Sequence, residues 1–232
     1  MTPYICVTCG TQFAATDTPP PHCPICEDQR QYVGGQGQQW TTLAALQEER
    51  RNEIREVEST LTGIGTQPSF AIGQRALLVE TAAGNLLWDC ISLIDAATVA
   101  AVQALGGIDA IAISHPHYYS CMVEWSRAFD APIYLHVDDR EHVMRPDPVI
   151  EFWTGETKPL FGGLTLMRCG GTSLGEPSLT GRVAQRGGRA AGGRHPHCRV
   201  GSALCEFYVQ LSQPDSAIGG KGAWDRGCGR AV

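Results

Sequence analysis

The 232-residue chain is 43% hydrophobic and 18% charged, with a formal net charge of −6 at neutral pH. That balance fits a globular domain with one sizeable core and a small appendage. It offers no basic stripe for nucleic acid, and no apolar run nears the roughly 18 residues of a membrane helix. The opening MTPYICVTCG has neither the basic nor the apolar region of an export signal. Ten cysteines could suggest disulfides, but four of them form two Cys-x-x-Cys pairs, which without an export signal favours metal binding in a reducing cytoplasm.

Residues 1–32 carry Cys6-x-x-Cys9 and, after 13 intervening residues, Cys23-x-x-Cys26. Each pair sits on a tight knuckle, and four thiolates satisfy one tetrahedral Zn²⁺. Such an ion closes a fold too small to build its own core. The spacing predicts a structural zinc ribbon over 1–32; a redox pair or chance spacing is the competing reading. His22 is a spare ligand for which four cysteines leave no vacancy.

Residues 33–53 read as a linker, VGGQGQQ, and a short helix over 41–50 capped by Thr41 or Thr42, with Leu43 and Leu46 inward. The linker is no phosphate loop, since the Lys-Ser/Thr of one is missing. From Ile54 the periodicity changes to two. IREVESTLTGI, FAIGQRALLVET and NLLWDC read as successive antiparallel strands, broken at Gly73 and Gly84-Asn85. ISLIDAATVAAVQALGG has helical spacing and stops at Gly106-Gly107. IDAIAIS is a buried strand, SCMVEWSRAF a helix, APIYLHV a strand, and EFWTGETKPLFGGLTLMRC a loop with two further strands. Strands followed by strand–helix alternation make the class α/β, and such folds place their sites at strand C-termini.

His115 and His117 stand just past the strand IDAIAIS. The segment from Gln74 through Asp89, the helix, and then Ser114-His115-Pro116-His117 resembles the metallo-β-lactamase-fold hydrolases. Their pattern is an Asp closing an early strand, then His-x-His-x-Asp-His, and later a lone His and a final Asp. The resemblance covers residues 54–171 and implies an αββα sandwich behind the ribbon. It also implies metal-activated water acting on an ester, thioester or amide of a small-molecule substrate. His115 and His117 would be ligands of zinc or another divalent metal, and Asp89 a catalytic-site carboxylate supporting them. Tyr119 and Ser120 stand where the family has Asp-His, so one metal is the expected limit. His136 is a further candidate facing the site. Asp138, Asp139, Glu141 and His142 read as a solvated loop and helix start, and Cys90, Cys121 and Cys169 as small buried hydrophobes.

After Gly171 the strand pattern collapses. Residues 1–171 hold 20 acidic and 10 basic side chains, whereas residues 172–232 hold 4 and 8, with 12 of the 27 glycines. One permitted coding of GGTSLGEPSLTG, residues 170–181, yields Gly-Gly-His-Phe-Pro-Gly-Gly-Thr-Val-Ile-Asp-Trp when a single C follows its second codon. That resembles the family's lone-His segment. Residues 203–216 become protein-like in yet another frame, so a second indel is needed. Residues 172–232 are therefore read as a frameshifted tail, with a Gly/Arg-rich disordered extension as the alternative. His195-Pro196-His197-Cys198 echoes the earlier pair, but no strand precedes it. The sandwich is expected to be incomplete at its C-terminal end and hydrolysis impaired. The competing expectation is a non-catalytic zinc-binding protein on a degenerate hydrolase scaffold.

Overall fold

A computed structural model describes residues 1–27, 37–169 and 180–185. The expectations placed on residues 28–36, 170–179 and 186–232, including the His195-Pro196-His197-Cys198 motif, lie outside the described residues.

The N-terminal ribbon begins with β1 (Tyr4–Cys6), which pairs antiparallel with β2 (Trp40–Thr42). The strand at 40–42 thus returns to the four-cysteine segment before the chain turns into α1 (Leu43–Glu49). Thr42 caps α1, its hydroxyl accepting from the Ala45 amide at 3.2 Å, and Leu46 enters the core.

The central sheet has seven strands in sequential order: β3 (Arg51–Glu58), β4 (Leu61–Gln67), β5 (Arg75–Thr81), β6 (Gly84–Trp88), β7 (Ala110–Ala112), β8 (Ile133–His136) and β9 (Ile150–Trp153). The first four are antiparallel, and β6 through β9 run parallel. The stretch expected as a single strand, IREVESTLTGI, is a hairpin turning at Ser59-Thr60. Its β3 arm is mostly exposed and charged, with a register shift between Glu56 and Glu58, both devices that blunt a sheet edge. The parallel crossovers are α2 (Ala96–Ala104), capped by the Asp95 carboxylate at 2.7 Å from the Thr98 amide, and α3 (Met122–Phe129).

Alternation along the strands assigns each face a partner. Leu78, Leu87, Ile111, Ile133 and Ile150 share one cluster with Leu46, Val102, Met122 and Trp125 of the helices. Val79, Leu86, Trp88, Ala110 and Ala112, from intervening positions, share another with Leu164 and Leu166. Those last two belong to a second, three-stranded antiparallel sheet of β10 (Thr157–Pro159), β11 (Leu164–Cys169) and β12 (Thr180–Gln185). The result is an α/β fold with a helical layer, a central sheet and a second sheet. Among the described residues no helix covers the outer face of the second sheet. β12 falls within the segment read as having lost its strand pattern, and its backbone completes a full ladder with β11 from Leu164–Gln185 to Cys169–Thr180. No described helix is long and apolar enough to cross a membrane.

Because β6 to β9 are parallel, their C-terminal ends share one edge. Asp89, Ser114 to His117, and His136 to Asp139 all emerge there.

Candidate metal centres

The ribbon brings its four cysteines together. The sulfurs of Cys6, Cys9, Cys23 and Cys26 lie within 4.8 Å of one another, all buried. A tetrahedral zinc with bonds of about 2.3 Å separates its sulfurs by about 3.8 Å. The observed Cys6–Cys26 and Cys9–Cys23 separations are 3.6 and 3.7 Å, so the cage fits the ion. The Cys9 amide donates to the Cys6 sulfur at 3.4 Å and Gln38 Nε2 does so at 2.9 Å, both easing negative charge there. Hydrogen bonding from Cys23 is the foremost cause holding the Cys6 thiol well below its ordinary range. His22 stands apart from the cage, exposed and paired with Glu27 at 2.8 Å.

The second place is the parallel-strand edge. Asp89 follows β6 with a positive φ of 62° and is fully buried. Its Oδ1 accepts from the Ser114 amide at 2.8 Å, and its own amide donates to the Ala112 carbonyl at 2.8 Å. The carboxylate therefore ties the end of β6 to the start of the histidine loop. Its Oδ2 is buried with no hydrogen-bond partner among the described residues. Burial raises the Asp89 carboxyl from its ordinary 3.8 to about 7, against the lowering effect of the Ser114 amide.

His115 opens a single 3-10 turn, Pro116–Tyr118, and accepts the His117 amide on Nδ1 at 3.2 Å. The two rings stack with centroids 4.8 Å apart, and their Nδ1 atoms are 3.1 Å apart. Two imidazole nitrogens on one tetrahedral zinc are about 3.3 Å apart. The spacing is near that of two ligands on one ion, but the His115 Nδ1 lone pair is taken by the His117 amide, and catalytic zinc takes three protein ligands. Among the described residues, only the four cysteines gather three or more ligating side chains. The histidine pair is thus half of a donor set.

The two departing positions turn away from the pair. The Tyr119 ring is buried in the helix-side core, with its hydroxyl beside Asp139. The Ser120 hydroxyl faces the Cys90 carbonyl at 3.4 Å. His136 is buried at the end of β8, but both its nitrogens are occupied. Nδ1 accepts from the Asp138 amide at 3.3 Å and Nε2 donates to the Gly155 carbonyl at 3.2 Å. The Asp138 carboxylate also lies 3.4 Å from Nδ1, and the ring packs edge-on against Trp153. Cys90 and Cys121 are fully buried, as small hydrophobes would be.

Asp139 corrects the reading of 138–142 as a solvated loop. It is 3% exposed on the 3-10 turn Val137–His142. Burial foremost, then the neighbouring Asp138 charge, raise it to about 7. It lines a cleft between the two sheets with Trp88, Tyr134, His136, Trp153 and Arg168. Only its three-residue spacing from His136 could have signalled this. Gln74 was also missed as more than a strand-flanking polar residue. It is buried and touches both the ribbon and the histidine loop.

No family model matches the chain. Solved structures similar to it include metallo-β-lactamases. MEM-A1, a subclass B3 enzyme from a soil metagenome library, is 19% identical with a TM-score of 0.43, covering 56% of this chain and 55% of that one. DIM-1 is 14% identical with a TM-score of 0.44, covering 58% and 65%. GOB-18 from Elizabethkingia meningoseptica is 16% identical with a TM-score of 0.40, covering 56% and 55%. In sequence, the chain is 52% identical over 170 residues to the uncharacterized protein YmaE of Bacillus subtilis (strain 168). That match covers 72% of this chain and 62% of YmaE, less than two thirds of the relative's length.

Proposed function

We propose that the chain is a two-part metalloprotein, a four-cysteine zinc ribbon set against a metallo-hydrolase-type α/β domain whose catalytic centre is impaired. The observation that carries the hydrolase half is the Asp89 carboxylate, buried at the parallel-strand edge with Oδ2 unpaired and Oδ1 fixing the start of the histidine loop. A buried carboxylate is stable either protonated or opposite a cation, and His115 and His117 are the donors nearest in sequence to the loop it holds. A divalent metal bound there supplies Lewis acidity towards water and the carbonyl of a small ester, thioester or amide. His115 and His117 hold the ion, and Asp89 holds the loop that carries them. Tyr119 and Ser120 bring no ligand, and the missing His and Asp are expected beyond Gly171, in the stretch read as frameshifted.

The test is hydrolysis of p-nitrophenyl acetate and a small acyl thioester by chelator-stripped protein, restored separately with zinc, manganese and iron. Weak, metal-dependent turnover that disappears in the H115A/H117A double variant is expected. Robust metal-dependent turnover contradicts the impairment, and turnover that survives the double substitution contradicts the site. Resequencing the coding DNA from codon 165 tests the origin of the tail. An extra base after the Gly170-Gly171 codons, restoring a His-Phe segment, is the expected finding.

One observation favours a second reading, a non-catalytic zinc protein. Only the cysteine cage presents a complete ligand set among the described residues.

A further inference from the structure

The two candidate centres touch through one side chain. Gln74, buried just before β5, uses both hydrogens of its amide. Nε2 donates to the Cys9 carbonyl at 2.8 Å, inside the first cysteine knuckle, and also to the His117 carbonyl. Its Oε1 lies 3.1 Å from the Ser92 hydroxyl, which also reaches the Gly10 carbonyl at 2.8 Å. With both Nε2 hydrogens placed on carbonyls, the amide has one orientation. A parallel link joins the Gln12 amide to the Ser120 carbonyl at 3.1 Å, so ribbon residues grip the histidine loop at two points. Gly10 makes the approach possible. Its φ is +79°, and a Cβ there would stand 2.3 Å from Ser92 Oγ and 2.7 Å from Gln74 Oε1.

We propose that the ion in the four-cysteine cage positions the His115–His117 loop, with Gln74 as the positioning residue that transmits the knuckle's conformation to the His117 carbonyl. The inference rests on reading the cage as a metal site. The knuckle Cys6–Cys9 keeps its shape only while its sulfurs are held, because a segment this small has little core of its own. Its Cys9 and Gly10 carbonyls are two of the four carbonyls in the Gln74, Ser92 and Gln12 contacts. When the knuckle loosens, Gln74 loses one of its two acceptors, and the His117 carbonyl loses a fixed donor. The ribbon is thereby a clamp on the metal-binding loop, and hydrolase-type chemistry at His115 and His117 is made conditional on zinc elsewhere in the chain.

Hydrogen exchange on the full chain, followed amide by amide, tests this without reference to activity. The amides of His117, Tyr118 and Tyr119 bond within the histidine loop. Ile111, bonded to the Pro132 carbonyl, reports on the sheet, and Cys26, bonded to the Cys23 carbonyl, reports on the ribbon. In the chain charged with a single equivalent of zinc, which the complete four-cysteine set takes before the histidine pair, removing the ion with a chelator is expected to speed exchange at 117–119 about tenfold, the loss of one or two buried hydrogen bonds, with Ile111 unchanged. The Q74L chain, ion bound, is expected to show the same acceleration while Cys26 stays protected. If Q74L cannot be isolated folded, the chelation arm decides alone. Loop exchange unchanged by chelation overturns the coupling, as does loss of protection at Ile111 together with the loop. A chain that takes up no ion at its cysteines, shown by the absence of a cobalt–thiolate absorption band, overturns the cage reading as well.

Discussion

Replacing Asp89 by Asn removes a charge from the most enclosed carboxylate among the described residues and leaves its shape in place. Asn keeps an oxygen to accept from the Ser114 amide and puts an NH₂ where Oδ2 now has no partner among the described residues. In the wild type, the folded carboxyl titrates near 7 and the unfolded one near 3.8. Between these values the folded chain holds one more proton than the unfolded chain. Stability from this group is complete below pH 3.8, falls as pH rises, and is lost above pH 7. The slope is about 1.4 kcal/mol per pH unit, and the span of about three units caps the loss near 4 kcal/mol. D89N has no such slope. Its stability above pH 7 should exceed that of metal-free wild type by about 1–4 kcal/mol, while at pH 4 the two should agree within about 1 kcal/mol. Urea unfolding of chelator-treated protein from pH 4 to pH 8.5 measures both. Asp139 contributes a similar slope to each chain, so the difference between them isolates Asp89. Equal pH dependence in the two proteins would refute the claim that Asp89 is a desolvated carboxyl.

Three further substitutions probe the packing. Gly10→Ala forces a Cβ into Ser92 and Gln74 at a left-handed backbone position, and should cost about 2 kcal/mol or more in thermal or urea denaturation; a neutral result refutes the close docking of the ribbon. Leu166→Ala empties a buried site between the two sheets and should cost about 2–5 kcal/mol by urea unfolding, whereas a loss below about 1 kcal/mol would mean the sheets do not pack there. Cys26→Ser should abolish binding of one zinc ion per chain, read by metal analysis after dialysis, and should make the segment before β2 the first point of proteolytic cleavage.

The parts of the fold legible in the sequence are those governed by short-range rules. Paired Cys-x-x-Cys spacing announces a cage because each knuckle is local, and the cage closes as expected. Thr42 caps α1 as its sequence suggests, whereas the helical spacing read from Ile91 becomes a helix only at Ala96, after the Asp95 cap. Asp89 and the histidine pair lie at the C-terminal edge of neighbouring parallel strands, where α/β folds gather chemistry. What escaped depends on distant neighbours. The hairpin turn at Ser59-Thr60 has no Gly or Pro to mark it, so two strands read as one. Asp139 looks like a solvated acid in DDREH, and residues distant in sequence, Tyr119 and the cleft-lining Trp88 and Arg168 among them, surround the carboxylate. The ends of His136 are claimed by a turn amide and a carbonyl 19 residues away, which no spacing rule foresees. Gln74 meets Cys9 and His117 across separations of 65 and 43 residues. β12 forms by backbone pairing with β11, in a segment whose composition carries no strand alternation.

Metal content, measured on the wild type and on the H115A/H117A variant after saturation and dialysis, tests the central claim most directly. The account predicts two ions per wild-type chain and one per variant chain, the survivor being held by Cys6, Cys9, Cys23 and Cys26. One ion in both proteins would contradict it, and would make the chain a zinc-ribbon protein whose histidines bind no metal.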